Sequence, residues 1–91
     1  MASVDGAQYK NTTASVLVKT GSGTVYGFII NSHTSGTLKL WDAVTATTPV
    51  LMNTYTFTAG SGVVTFPTAS NFYTGLYATV GGTADITILY N

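Results

Sequence analysis

Thr24-Val25-Tyr26-Gly27-Phe28-Ile29-Ile30-Asn31-Ser32-His33-Thr34-Ser35-Gly36-Thr37-Leu38-Lys39-Leu40-Trp41-Asp42 is the stretch that decides the fold. In an extended chain its first eight residues put Tyr26, Phe28 and Ile30 on one side and Val25 and Ile29 on the other. An apolar pattern on both sides is that of a central strand covered twice. Residues 36–42 alternate instead, with Leu38 and Leu40 on one side and Lys39 and Trp41 on the other. Between them, residues 32–36 are polar and read as a turn. Nothing here holds a helical period, and the β-branched and aromatic residues that suit a pleated surface dominate.

The same texture extends outward. Residues 12–20 place Ala14, Val16 and Val18 opposite Ser15, Leu17 and Lys19, and Gly21-Ser22-Gly23 closes that strand with a turn. After residue 42 comes a loose Thr/Ala loop closed by Pro49, then a strand over residues 50–57. Ala59-Gly60-Ser61-Gly62 turns into a strand over 63–66 that Pro67 ends. A polar connection over 68–74 carries Phe72 and Tyr73, and a short strand over 76–80 follows. Gly81-Gly82 is a two-residue hairpin signal. Residues 83–90 set Ala84, Ile86, Ile88 and Tyr90 against Asp85, Thr87 and Leu89.

Seven to eight short antiparallel strands without a helix predict an all-β fold, a small antiparallel β-sandwich of jelly-roll or immunoglobulin-like topology. A closed barrel is the alternative. Residues 1–11 show no strand pattern and are expected to form an N-terminal arm, held by its own domain or by a neighbouring chain. Residues 12–91 form the single sandwich domain.

A chain of 91 residues makes one domain. At this length folding buries only roughly 60–65% of the unfolded surface, so a small scaffold usually needs a disulfide, a metal or a partner. There is no cysteine. The charged residues are Lys10, Lys19, Lys39, Asp5, Asp42 and Asp85, which is 7% of the chain against about 25% in an ordinary soluble domain. A net charge of zero favours association. The eighteen threonines wet the surface without charging it. The scarcity of charge predicts an assembly component that oligomerises; the alternative is a soluble monomer whose surface the threonines keep wet.

The same scarcity bears on other functions. Three scattered lysines make no phosphate-binding patch, so no nucleic-acid partner is expected. No run of 18 apolar residues exists to span a membrane, and no basic and apolar leader marks a signal peptide. One imidazole and no thiolate cannot supply a structural zinc site, and no Asp-x-Asp run suits calcium. His33 with Asp42 or Asp85 could formally serve a serine, but no nucleophile elbow supports it. His33 reads as a solvent-exposed turn residue. No enzyme and no cofactor are expected.

Aromatic residues are the remaining functional candidates. If Leu38 and Leu40 face the core, Trp41 faces outward beside Lys39; the opposite register would bury it. Exposed Trp and Tyr anchor protein interfaces or stack on sugars. The interface candidates are Trp41, Lys39, Tyr73, Phe72 and Tyr77.

The stretch from Ala14 to Asp42 resembles small β-rich virion proteins of tailed bacteriophages, and Tyr77-Ala78-Thr79-Val80-Gly81-Gly82 through Ile86-Thr87-Ile88-Leu89-Tyr90-Asn91 has the same character. The likeness lies in Thr/Gly-rich hairpins, low charge and the lack of a catalytic set, and no functional residue is carried over from it. It implies a virion structural protein assembled in the host cytoplasm. The leading expectation is a capsid decoration (cement) protein that oligomerises and binds the major capsid protein. The alternative is a tail- or fibre-associated module that binds a carbohydrate or receptor.

Overall fold

Two long strands organise the molecule. A computed structural model describes residues 8–58 and 60–91, with only the backbone of residues 67–69. The strands run in the order β1 (Gln8–Thr12), β2 (Val16–Thr20), β3 (Gly23–Trp41), β4 (Val50–Thr56), β5 (Gly62–Phe72) and β6 (Gly75–Tyr90). β3 and β6 are 19 and 16 residues long and pair antiparallel along their whole length, from Val25 opposite Tyr90 to Trp41 opposite Tyr77. β1 and β2 follow one another along the free side of β6, and β4 and β5 do the same along β3.

This four-strand-wide sheet is folded double across its middle. The first leaf is β1, the C-terminal half of β6, the N-terminal half of β3, and β5. The second leaf is β2, the N-terminal half of β6, the C-terminal half of β3, and β4. Val25, Phe28, Ile30, Phe72, Ala84, Ile86 and Ile88 of the first leaf join Leu38, Leu40, Leu76 and Ala78 of the second, with Phe57, in one buried cluster. The body is 20 Å thick, which suits two sheets stacked about 10 Å apart plus their outer side chains. The fold is therefore an all-β antiparallel sandwich. Each leaf is four strands wide because β3 and β6 serve in both.

Period-two alternation explains the inner surface. Phe28, Ile30, Leu38 and Leu40 of β3 and Leu76, Ala78, Ala84, Ile86 and Ile88 of β6, all even-numbered, point inward and are buried, whereas Ser32 and Thr34 at the bulges between them are exposed. Val25 joins them because the register shifts between Val25 and Gly27.

The crease corrects two sequence expectations. Residues 32–36 are not a chain reversal, and Gly81-Gly82 is not a hairpin. Both lie inside long strands, with Thr34 paired to Thr83 and Thr37 to Gly81. The register shift between those pairs is a bulge. Ser35 (φ 54°) and Gly82 (φ 68°) adopt left-handed conformations there, bending the ribbon rather than ending it. Gly36 is buried at the same place, and a Cβ on it would come within 2.8 Å of the Phe57 ring. Phe57 in turn donates its N–H to the Gly36 carbonyl at 3.0 Å.

Three further boundaries differ. The strand expected over 12–20 is broken at residues 13–15, where the chain passes from one leaf to the other. Gln8–Thr12 forms β1, so residues 8–11 of the expected arm are a paired edge strand, and residues 1–7 lie outside the described residues. Pro67 does not end its strand. It lies within β5, a strand paired to β3 on one side only, and an edge strand is where a proline is tolerated.

Opposite the crease, the leaves are tied by two tight connections. Gly21-Ser22 carries the chain from β2 to β3, and Tyr73-Thr74 carries it from β5 to β6. The Gly21 N–H donates to the Thr74 carbonyl at 2.9 Å, joining the two crossings.

Candidate interaction surface

Away from the bulges at Val25 and at residues 31–36, the odd-numbered residues of β3 and β6 point outward, and register aligns them across strands. On the second leaf Leu17, Tyr77, Trp41 and Val50 form one continuous row, because Leu17 pairs with Tyr77, Tyr77 with Trp41, and Trp41 with Val50. Leu17 and Val50 are exposed, and Tyr77 and Trp41 are half-buried. The next row toward the crease pairs Lys39 with Thr79.

These rows hold Trp41 in place. Its Nε1–H donates to Thr79 Oγ1 at 2.9 Å, and the Lys39 ammonium lies 4.2 Å from the centroid of its ring. Such a cation–π contact is worth about 0.5–1 kcal/mol at an exposed site. Among the described residues no carboxylate pairs with Lys39. Leu38 and Leu40 are fully buried, so of the two registers the sequence allowed, the one with Trp41 outward is present.

The other candidates separate. Tyr77 lies beside Trp41. Tyr73 is 73% exposed in the crossing between β5 and β6, away from the row. Phe72 is completely buried and belongs to the core, so it is removed from the interface candidates. Adjacent residues on a strand face opposite ways, and Phe72 ends β5 on the inward side.

The first leaf carries outward apolar side chains among polar ones, a surface that the sequence reading missed. Asn11, Thr87, Ile29 and Val63 form one row, and Tyr9, Leu89, Gly27 and Thr65 the next. Val63 is 66% exposed and Tyr9 72%. Toward the crease lies Asp85, whose Oδ1 accepts from Asn11 Nδ2 at 2.7 Å and Asn31 Nδ2 at 3.3 Å. Both amides also donate to Thr87 Oγ1.

Among the described residues, His33, Asp42 and Asp85 each meet neighbouring backbone or side-chain groups. His33 is half-buried within β3 rather than exposed in a turn. Its Nδ1 accepts the Gly36 N–H at 3.1 Å, and its ring meets Phe57 edge-on at 5.2 Å. Asp42 Oδ1 accepts the N–H groups of Thr74, Tyr73 and Gly75 at 2.8, 2.9 and 3.4 Å. Partial desolvation pushes the Asp42 carboxyl up, and these three donors outweigh it, holding the pKa below the ordinary value. Among the described residues no cluster of three metal-ligating side chains occurs, and there is no helix long and apolar enough to cross a membrane.

No family model matches this chain, and neither a curated protein nor a solved structure does. Its surface chemistry must therefore speak for its function. That chemistry is two outer faces on one thin sandwich, each with exposed apolar side chains and few charges.

Proposed function

We propose that this chain is a non-enzymatic structural component of a large particle, most specifically a capsid decoration protein of a tailed bacteriophage that oligomerises and stabilises the shell. The observation that carries it is the Leu17–Tyr77–Trp41–Val50 row, an ordered apolar strip laid across all four strands of one leaf. Cross-strand pairing of these residues steadies the sheet of a single chain, and the same continuous, weakly charged strip has the make-up of an interface core, which is built from aromatic and aliphatic anchors. The likeness to small phage virion proteins supplies the kind of particle. The structural employment of His33, Asp42 and Asp85 supports a non-catalytic role.

The test is to identify the particle with which the chain travels. Gradient-purified particles from cells producing it should contain the chain at many copies, in density on the outer shell. Recovery only as a free small protein, in cells making intact particles, would overturn the proposal.

A second reading, a tail- or fibre-associated module binding a carbohydrate or receptor, draws on Trp41 and Tyr77 standing side by side. Lys39 already covers the Trp41 ring, so a sugar would have to displace it or stack on Tyr77. Glycan screening with Trp41→Ala as control separates the two readings: binding lost with folding retained favours the sugar site.

A further inference from the structure

We propose that copies of this chain associate head to tail, with the Trp41 face of one copy packed on the Ile29–Val63 face of the next and Lys39 of the first opposite Asp85 of the second. The proposal rests on the assembly reading and specifies which surfaces meet.

Both outer faces of the sandwich carry exposed apolar side chains, so one partner surface would leave the other face wet. Their charges are complementary. Among the described residues Lys39 of the second leaf meets no carboxylate, and the first leaf presents Asp85, both of whose bonds from Asn11 and Asn31 fall on Oδ1. Burying an unpaired ammonium is costly, so whatever covers the Trp41 row must bring an acid to Lys39. Among the described residues a contact between two Trp41 faces would bring none. The acid nearest in sequence is Asp42, whose carboxylate is committed to the crossing at residues 73–75. A contact between unlike faces supplies Asp85. Lys39 and Asp85 both lie on the crease side of the Trp41 and Ile29–Val63 rows, so copies stacked with creases aligned bring them together. A contact between unlike faces either closes into a ring or propagates.

Size sets the expected strength. Four strands spaced about 4.8 Å and about five residues of 3.3 Å make a face roughly 19 by 17 Å. That flat footprint of roughly 320 Å² per copy is well below the roughly 800 Å² per partner of a standard interface, so a single pair of faces binds weakly. Association should therefore be weak in free solution and build with concentration.

The experiment uses two variants that each block one face. Leu17→Asp sets an acid on the Trp41 face, and Val63→Lys sets a cation on the other. Sedimentation equilibrium of the wild-type chain should show a mass that rises with concentration. Each variant alone should remain monomeric, and an equimolar mixture should form a 1:1 dimer and nothing larger, because one intact pair of unlike faces remains. A Val63→Lys chain that still dimerises alone would overturn the proposal in favour of a two-fold contact. A monomeric wild type, or an associating wild type whose mixed variants stay monomeric, would also overturn it. Particle incorporation is measured separately, so either failure leaves the assembly reading standing. Thermal melts check folding, and Val50→Asp with Tyr9→Lys, also at exposed edge positions of the two faces, replaces the first pair if either variant misfolds.

Discussion

A Cβ on Gly82 would collide with the carbonyl of Ser35, the residue facing it across the crease. Both residues hold left-handed φ, and the two long strands bend together at this point. Gly82→Ala therefore combines backbone strain of roughly 1–2 kcal/mol with displacement of a backbone oxygen. The expected loss is about 2 kcal/mol or more, a fall in Tm of roughly 10 °C for a domain this size. Gly60 has open space around its Cβ position, so Gly60→Ala should stay within about 0.5 kcal/mol of wild type. Equal melting temperatures for the two variants would mean that the crease is not held by this contact.

How much of this was legible in the sequence depends on the range over which each feature is determined. The inward Leu38 and Leu40 and the inward Ile86 and Ile88 follow from period-two alternation, which a strand carries locally. The crease does not. Gly81-Gly82 supplies the positive φ that a hairpin requires, but a bend uses the same freedom. Which one forms depends on residues 76–80 and 83–90 both pairing with β3 rather than with each other. Reading Pro67 as a stop hid the continuation of β5, and with it the inward parity of Phe72. Trp41 and Tyr77 could each be singled out as aromatic. That they share a row with Leu17 and Val50 is a property of register across four strands, to which no single segment testifies.

Phe72 and Tyr73 make that difference measurable. Phe72 is completely buried in the common core, whereas Tyr73 is largely exposed at the crossing. Phe72→Ala should cost about 3–5 kcal/mol, a large share of the roughly 5–15 kcal/mol available to a small domain. Tyr73→Ala should change stability by about 0.5 kcal/mol or less. Chemical denaturation of the two variants reads this directly, and similar midpoints would contradict the burial of Phe72.

Asp42 gives the fold a defined sensitivity to acid. Its folded pKa is lowered, with partial desolvation opposing and the N–H groups of Thr74, Tyr73 and Gly75 prevailing. A depressed carboxylate pKa contributes stability that is fully present above the unfolded value of about 3.9 and is lost as pH falls through the lower folded value. Asp42→Asn should therefore melt below wild type at pH 6, and the gap should narrow below about pH 4 as the wild-type carboxylate protonates. Asp85 is common to both chains and cancels in the difference. A gap that stays constant from pH 6 to pH 3 would show that the carboxylate charge does not hold the crossing.

Trp41 is the single tryptophan, so its emission reports on one place. In the free chain the indole is half-buried, bonded to Thr79 and covered on one face by Lys39. Thr79→Val removes the acceptor and leaves Nε1–H to water, so the emission should move to the red with little change in folding. Lys39→Met keeps an apolar stem over the ring and removes the charge. A double-mutant cycle with Trp41→Leu should return a coupling of about 0.5–1 kcal/mol. If the Trp41 row is covered by another subunit, the emission of the wild-type chain must also move to the blue with concentration, since docking strips water from the exposed part of the ring. Val63→Lys leaves the Trp41 face intact but removes the surface it would dock on, so its emission should not change with concentration. A blue shift that persists in Val63→Lys would place a different surface against Trp41.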